Sequence, residues 1–427
     1  MPSRRTWAIL LTFVAIFGLL YFYRNAIVPS TAQDYFRPAS APLLDDPPPH
    51  HSIIEVSNCT ELRNALLNVQ NHTTIFLDDG IYRVDDIPEQ QFLTPYGRHV
   101  EDIHIRGVNG NRDTVIIEGP GQFIESGQYG FQIFDAVDVL IADLTIRRVY
   151  YHCISIHPEE GANNISLYNV RMIDAGEQLL KCNRDSGSIL TGLSIQYCSF
   201  ELTSGWGIHP ELGSSYGNGM SLHGVVNATI LDCFFFNLYY TDGNLADPAI
   251  LVWNDSEGTI VERCVFINCA RGIAFGLDAE QHSGGIVANN FFYRDQLSAP
   301  VDTAIYIASS DTLVCHNTIV IRDSYYAPIE VRFASSTNVV VVNNILDGGE
   351  IVLRDGAFAT IESNTNLATS VWFVDMSHGN LHLVDNNETN THAIDQSDFV
   401  TDINHDFDGD FRPQGLSLDL GADEITN

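Results

Sequence analysis

Lys181 is the only lysine in a chain that carries twenty arginines. A lysine amine acts as a base once its pKa falls from about 10.4 toward working pH. Guanidinium holds its proton too tightly to replace it. The chemistry that fits such a base is elimination from a uronic acid. The amine removes the proton α to the carboxylate, the β carbon–oxygen bond breaks, and a donor protonates the leaving oxygen. His157 and His223 are the candidate donors, because an imidazole titrates near neutrality. Arg271 is the candidate partner for the substrate carboxylate. Nearby cations and desolvation would lower the Lys181 pKa, whereas the substrate carboxylate would raise it.

These residues are positioned by two interleaved series of short runs with period-two alternation, which predicts strands. One series (LIADL, SLYNV, SIQYC, TILDC, IVERC, IVANN, LVCHN, VVVNN, TIESN) ends in the corner residues Leu144, Val170, Cys198, Cys233, Cys264, Asn290, Asn317, Asn344 and Asn364, about 27 residues apart. The other (HCISIH, LLKCN, MSLHG, AILVWN, GIAFGL, AIYIAS, PIEVRF, EIVLRD) points Ile156, Cys182, Leu222, Val252, Phe275, Ile307, Val331 and Leu353 inward. Strands recurring at a fixed step predict a β-solenoid, in which each side chain stacks on its equivalent one coil later. The outward columns are then Ser155, Lys181, Ser221, Leu251, Ala274, Tyr306, Glu330, Val352 and His157, Asn183, His223, Trp253, Gly276, Ala308, Arg332, Arg354. Lys181 falls diagonal to His157 and His223, roughly 7–8 Å away at Cα. The corner asparagines predict a buried amide ladder, and the corner cysteines small buried residues without metal-ligand spacing. Glu330 and Arg332 read as a structural ion-pair row.

Most segments from corner to strand take about a dozen residues, but Cys198 to Leu222 takes 24 and Cys233 to Val252 takes 19. Long aromatic loops on a rigid scaffold commonly build binding sites. The substrate-binding candidates are Trp206, His209, Tyr239, Tyr240 and Asp247 from these loops, with Trp253 and Glu159 beside them. A glycoside hydrolase would need two facing carboxylates, which Glu159, Asp185, Asp242 and Asp247 could supply. A non-catalytic glycan-binding or adhesion protein needs only the aromatic loops.

Acidic residues number 54 against 21 basic ones, a net charge of −33, so no basic stripe exists to neutralise nucleic-acid phosphates. Arg4 and Arg5 precede a charge-free apolar run from Trp7 to Tyr23, which predicts a transmembrane signal-anchor over residues 1–24 in preference to a peptide cleaved near Ser30-Thr31-Ala32. Residues 25–51, including PASAPLLDDPPPHH, read as a Pro-rich spacer from that membrane. A solenoid with an N-terminal cap is expected over 52–375 and a C-terminal capping segment over 376–427. The expected location is outside the cytoplasm, anchored or secreted, as a monomer. Residues 60–84 predict a short amphipathic helix with Thr60 as N-cap, then a strand and an Asp-Gly turn.

The helix followed by LDDGIYRV, the coils with asparagine ladders and the closing DFDGDFRP…DLGADE resemble the right-handed parallel β-helix, pectate-lyase-like superfamily over residues 53–427. The resemblance implies an all-β, single-stranded right-handed parallel β-helix and an extracellular polysaccharide as partner. Within it, GEQLLKCN followed by GMSLHG is similar to the Glu…Lys then Arg-His-Gly arrangement of chondroitinase-B-like and alginate lyases. That likeness implies Lys181 as base, Glu177 near a calcium ligand and calcium as the one cofactor to expect. The Glu–Lys spacing is one residue shorter here, and Leu222 stands where the arginine would be.

Overall fold

The computed structural model describes residues 31–86, 99–125, 129–185, 187–279, 281–294, 299–321, 326–397 and 402–425. The expected signal-anchor over residues 1–24 lies outside them. Among the described residues no helix is long and apolar enough to cross a membrane. The chain divides into two units, Met1–Asp34 and Tyr35–Asn427. In the first, the described residues form one 3-10 turn, Ala32–Asp34, where the Thr31 amide donates to the Asp34 carboxylate at 2.8 Å.

The second unit is a parallel β-helix. Its strands form a 22-stranded and a nine-stranded parallel sheet among the described residues, with one antiparallel pair, Phe373–Asp375 and Asn380–Leu383. The nine-stranded sheet runs through Phe131–Ile133, Ile154–Ile156, Leu180–Cys182, Met220–His223, Ile250–Trp253, Ile273–Phe275, Thr303–Ile307, Ala327–Arg332 and Val352–Arg354. Its register matches the expected column: Ile156 pairs with Cys182, Cys182 with Leu222, and so on through Val252, Phe275, Ile307 and Val331 to Leu353. All are buried except Leu353, which is 39% exposed on the terminal strand.

Every corner residue follows a residue in the left-handed region. Asp143, Asn169, Tyr197, Asp232, Arg263, Asn289, His316, Asn343 and Ser363 have φ between 50° and 58°. Such residues bend the long sheet, and Asn and Asp tolerate that conformation better than most. The corners themselves repay the strain. The side-chain amide of Asn290 donates to Asn317 at 2.9 Å, Asn317 to Asn344 at 3.0 Å and Asn344 to Asn364 at 2.8 Å. Behind them Phe200, Phe235, Phe266 and Phe292 stack at centroid spacings of 5.0, 4.6 and 4.5 Å. Cys198, Cys233 and Cys264 are buried free thiols at their corners.

The N-terminal helix is Cys59–Leu67, and its cap is Asn58 rather than Thr60. The Asn58 side chain accepts from the Glu61 amide at 3.0 Å, because the helix begins two residues earlier than a cap at Thr60 would have it. At the other end Arg412 and Glu424 pair at 2.8 Å with neither side chain exposed. The Asp406 carboxylate of DFDGDFRP accepts from the amides of Asp408, Asp410 and Glu424, a structural turn.

Residues 35–51, expected as spacer, are instead a strap packed along the 22-stranded sheet. Tyr35 is buried against Phe236 and Tyr293, and Phe36 packs against Phe291 and Phe407. Arg37 pairs with buried Glu201 at 3.1 Å and lies 4.0 Å over the Phe234 ring. Pro42 O accepts from the Tyr168 hydroxyl at 2.8 Å, and Asp45 O from Arg106 at 2.8 Å. Proline content argues for an extended chain, and extended chain suits a sheet face as well as it suits solvent.

Candidate functional site

Lys181 is the middle residue of strand Leu180–Cys182, held between Ser155 on one neighbour and Ser221 on the other. Both outward columns have the expected register. Lys181 Nζ lies 2.8 Å from His223 Nε2, and Ser221 Oγ lies 3.1 Å from the same nitrogen. Asn254 Nδ2 stands 2.8 Å from His223 Nδ1, and the Trp253 ring packs at 4.8 Å on the imidazole. Burial, then the positive charges of Lys181 and Arg184, push His223 down to about 4, so it is neutral near pH 7. A neutral imidazole has one N–H. With Nδ1 accepting from the Asn254 amide, Nε2–H points at an unprotonated Lys181 amine; with the amide turned over, Nε2 accepts from the ammonium.

The Lys181 pKa is lowered by burial, one of the two expected causes, and neighbouring cations add nothing among the leading ones. Cys182, Glu177 and Asp247 oppose that shift. Burial likewise raises Glu177 and Asp247, which Lys181 partly offsets. Two half-buried carboxyls therefore flank the amine. His152, buried one strand before Lys181, is pushed down to about 3 by burial and then by Lys181. Its Nδ1 lies 3.2 Å from Gln178 O and its Nε2 lies 3.8 Å from Glu177. Tyr216, raised by burial, faces Gln178, Glu177 and Asp247, and burial pushes Tyr129 up to about 12.

The two long insertions fold against each other as one wall. Trp206 and Tyr240 form a parallel bridge, and Ser215 N donates to Asp242 at 2.8 Å. Trp206 is fully buried, and its Nε1 donates to Ala175 O at 3.1 Å and Glu177 O at 3.0 Å. It fixes the segment leading into the Lys181 strand and presents no face to a sugar. Gly217 passes so near that a Cβ on it would stand 2.7 Å from the indole, and its φ of +142° suits glycine. Tyr240 is also buried; its hydroxyl donates to Gly217 O at 3.0 Å and contacts Asp247 at 3.2 Å. His209 is buried beside Tyr150, with both ring nitrogens unpartnered. Tyr239 is half-buried against the core. Of the loop candidates, Asp247 reaches the Lys181 environment; the others are the wall's interior. Aromatic content marks a wall, but which faces it buries depends on how the two loops pack together.

His157 is engaged by partners other than the pair. Its Nδ1 binds Glu159 at 2.8 Å, its Nε2 lies 2.9 Å from Ser155, and the ring stacks on Phe134 at 4.0 Å. Arg271 precedes the third strand beyond Lys181, about 14 Å along the axis at about 4.8 Å per strand. It pairs with Asp302 at 2.9 Å, and like Lys181 it partly offsets the burial that raises Asp247. There it lines a cleft of about 170 Å³ with Tyr306, Glu330, Arg332 and Arg354. Glu330 lies 3.8 Å from Arg332, the expected ion-pair row, and also holds Arg354 at 3.0 Å. Glu177 has His152 beside it but belongs to no group of three or more potential ligands among the described residues; the clusters that could hold an ion are elsewhere. His152 and Asn254 were missed in the sequence, although His152 opens the HCISIH run.

No protein-family model and no curated protein matches the chain by sequence. Among solved structures it is similar to pectate lyase Pel9A (14% identity, 88% of this chain and 97% of that one, TM-score 0.54). It also matches a rhamnogalacturonan lyase (12%, 74% and 88%, 0.45) and PfbA, a surface adhesin of Streptococcus pneumoniae (14%, 72% and 86%, 0.43). The first likeness shows the fold: this chain is a right-handed parallel β-helix.

Proposed function

We propose that the chain acts outside the cytoplasm on an acidic polysaccharide and cleaves it by β-elimination, with Lys181 as the base. The observation that carries this reading is the 2.8 Å contact between Lys181 Nζ and His223 Nε2 on an outward sheet face beside the wall of the long loops. The Lys181 amine takes the proton α to a uronate carboxylate. The electron pair forms the new double bond, and the glycosidic carbon–oxygen bond at the β position breaks. The Lys181 ammonium so formed hands its proton to Nε2 of neutral His223, and the transient imidazolium gives it to the leaving oxygen. Arg271, Arg332 and Arg354 would meet carboxylates further along the polymer.

The test is incubation of the protein with a panel of uronic-acid polymers while ultraviolet absorbance of unsaturated uronates is followed. Absorbance should rise and vanish in Lys181→Ala and Lys181→Arg. No rise with any polymer, or a rise that survives Lys181→Ala, rejects elimination. Retention on a polymer column without absorbance would instead support a binding or adhesion protein. Glu177 and Asp247, both shifted toward the protonated form, favour a glycoside hydrolase as the second reading. New reducing ends without absorbance would establish it.

A further inference from the structure

At the N-terminal end of the solenoid, four histidines surround one carboxylate. Asp102 Oδ2 lies 2.9 Å from His51 Nε2, 2.9 Å from His72 Nδ1 and 3.4 Å from His50 Nε2. His104 Nε2 stands 3.6 Å from the other oxygen. The strand register explains the convergence. Ser52 pairs with Thr73 and Thr73 with Ile103, so the preceding residues His51, His72 and Asp102 form one column over three successive coils. His50 joins from the end of the strap.

We propose that His50, His51, His72 and Asp102 bind a divalent transition metal, with zinc as the best fit, and that the ion clasps the strap to the first coils. Three imidazoles and one carboxylate are a donor set that zinc takes tetrahedrally. Bonds of about 2.0–2.1 Å in that geometry place ligand atoms about 3.4 Å apart. The four ligand atoms lie within 4.8 Å of one another, and three of their separations are already 2.9–3.4 Å. The surroundings are those of a metal site as well. His51, with no side-chain exposure, has its Nδ1 2.9 Å from the hydroxyl of buried Thr74. With Nδ1–H donating to that hydroxyl, Nε2 is free as a ligand. His50 and His72, 60% and 47% exposed, provide the route by which an ion enters.

The experiment uses the untagged chain, stripped with chelator and titrated with Zn²⁺ against a chromophoric competitor. Co²⁺ is added in parallel to read geometry from its visible absorption. A saturable site with the intense bands of tetrahedral cobalt is expected. His72→Asn, which suits the left-handed backbone there (φ 58°), and His50→Ala should each weaken binding more than about a hundredfold. Thr74→Val should weaken it about 10- to 100-fold through the lost orientation of His51. His382→Asn, in the separate group His382, Asp408 and Asp423, should leave these bands unchanged. Zinc should also slow chymotrypsin cleavage at exposed Leu43 in the strap. Absence of the tetrahedral bands, or bands that persist in both His72→Asn and His50→Ala folded by circular dichroism, overturns the site. Binding that leaves cleavage at Leu43 unchanged overturns the clasp.

Discussion

Replacing Trp206 by phenylalanine separates a structural indole from one that stacks on sugar. Its Nε1 donates to two buried carbonyls, Ala175 O and Glu177 O, and the side chain has no exposed surface. Phenylalanine keeps an aromatic face but deletes the donor. Losing the bond and stranding a buried acceptor costs about 1–3 kcal/mol. The smaller ring leaves a void of roughly 40 Å³, worth about 1 kcal/mol at about 24 cal/mol per Å³. The expected loss is therefore about 2–4 kcal/mol, seen as a lower urea midpoint. Because solenoids do not always unfold in one step, hydrogen exchange over residues 175–182 should be followed too, and it should accelerate there first. A midpoint shift worth less than about 0.5 kcal/mol, combined with weakened polymer retention, would refute this reasoning and return Trp206 to the binding surface.

Three further outcomes follow from the same geometry. Asn317→Ala removes an amide that bonds Val287 O, Cys315 O and Asn344 and accepts from Asn290; denaturation should show a loss of about 3–5 kcal/mol, whereas Asn317→Asp should retain part of the ladder. His152 is held neutral, with its folded pKa near 3 below the ordinary 6.5; the unfolded chain then binds the proton first, so stability is full above pH 6.5 and falls toward pH 3. Its slope is at most about 1.4 kcal/mol per pH unit, and urea midpoints of His152→Phe measured across that window should be flatter. Arg37→Ala leaves Glu201 paired with Arg171 at 2.7 Å, so global stability should change by about 1 kcal/mol or less, while chymotrypsin should cut the strap faster.

The solenoid was legible because its signal repeats. A period-two run has one register that buries its apolar side, and eight coils in succession state the same answer, which is why Lys181 and His223 were placed on adjacent strands from residue order alone. The loops offered no such redundancy. Trp206, His209 and Tyr240 look like a sugar platform in composition, yet the two insertions bury them against each other. Arg271 falls three strands beyond Lys181, as the order of the runs has it, and Asp302 holds it there. The histidine cluster was beyond sequence reading, because it needs His50 and His51 laid beside Asp102 by a segment whose prolines suggested a free tether.

The strap changes what kind of object this solenoid is. Coils that touch only their neighbours fray from either end, each terminus yielding independently of the far one. Here a single stretch of chain meets Tyr293 and Phe407 near one terminus and Arg106 near the other, in the manner of a tie rod through a stack of plates. Fraying at one end must loosen that rod before it can advance, so events at the two termini become mechanically linked. A load applied through the N-terminus would peel the strap from the sheet before it reached the coils that carry Lys181.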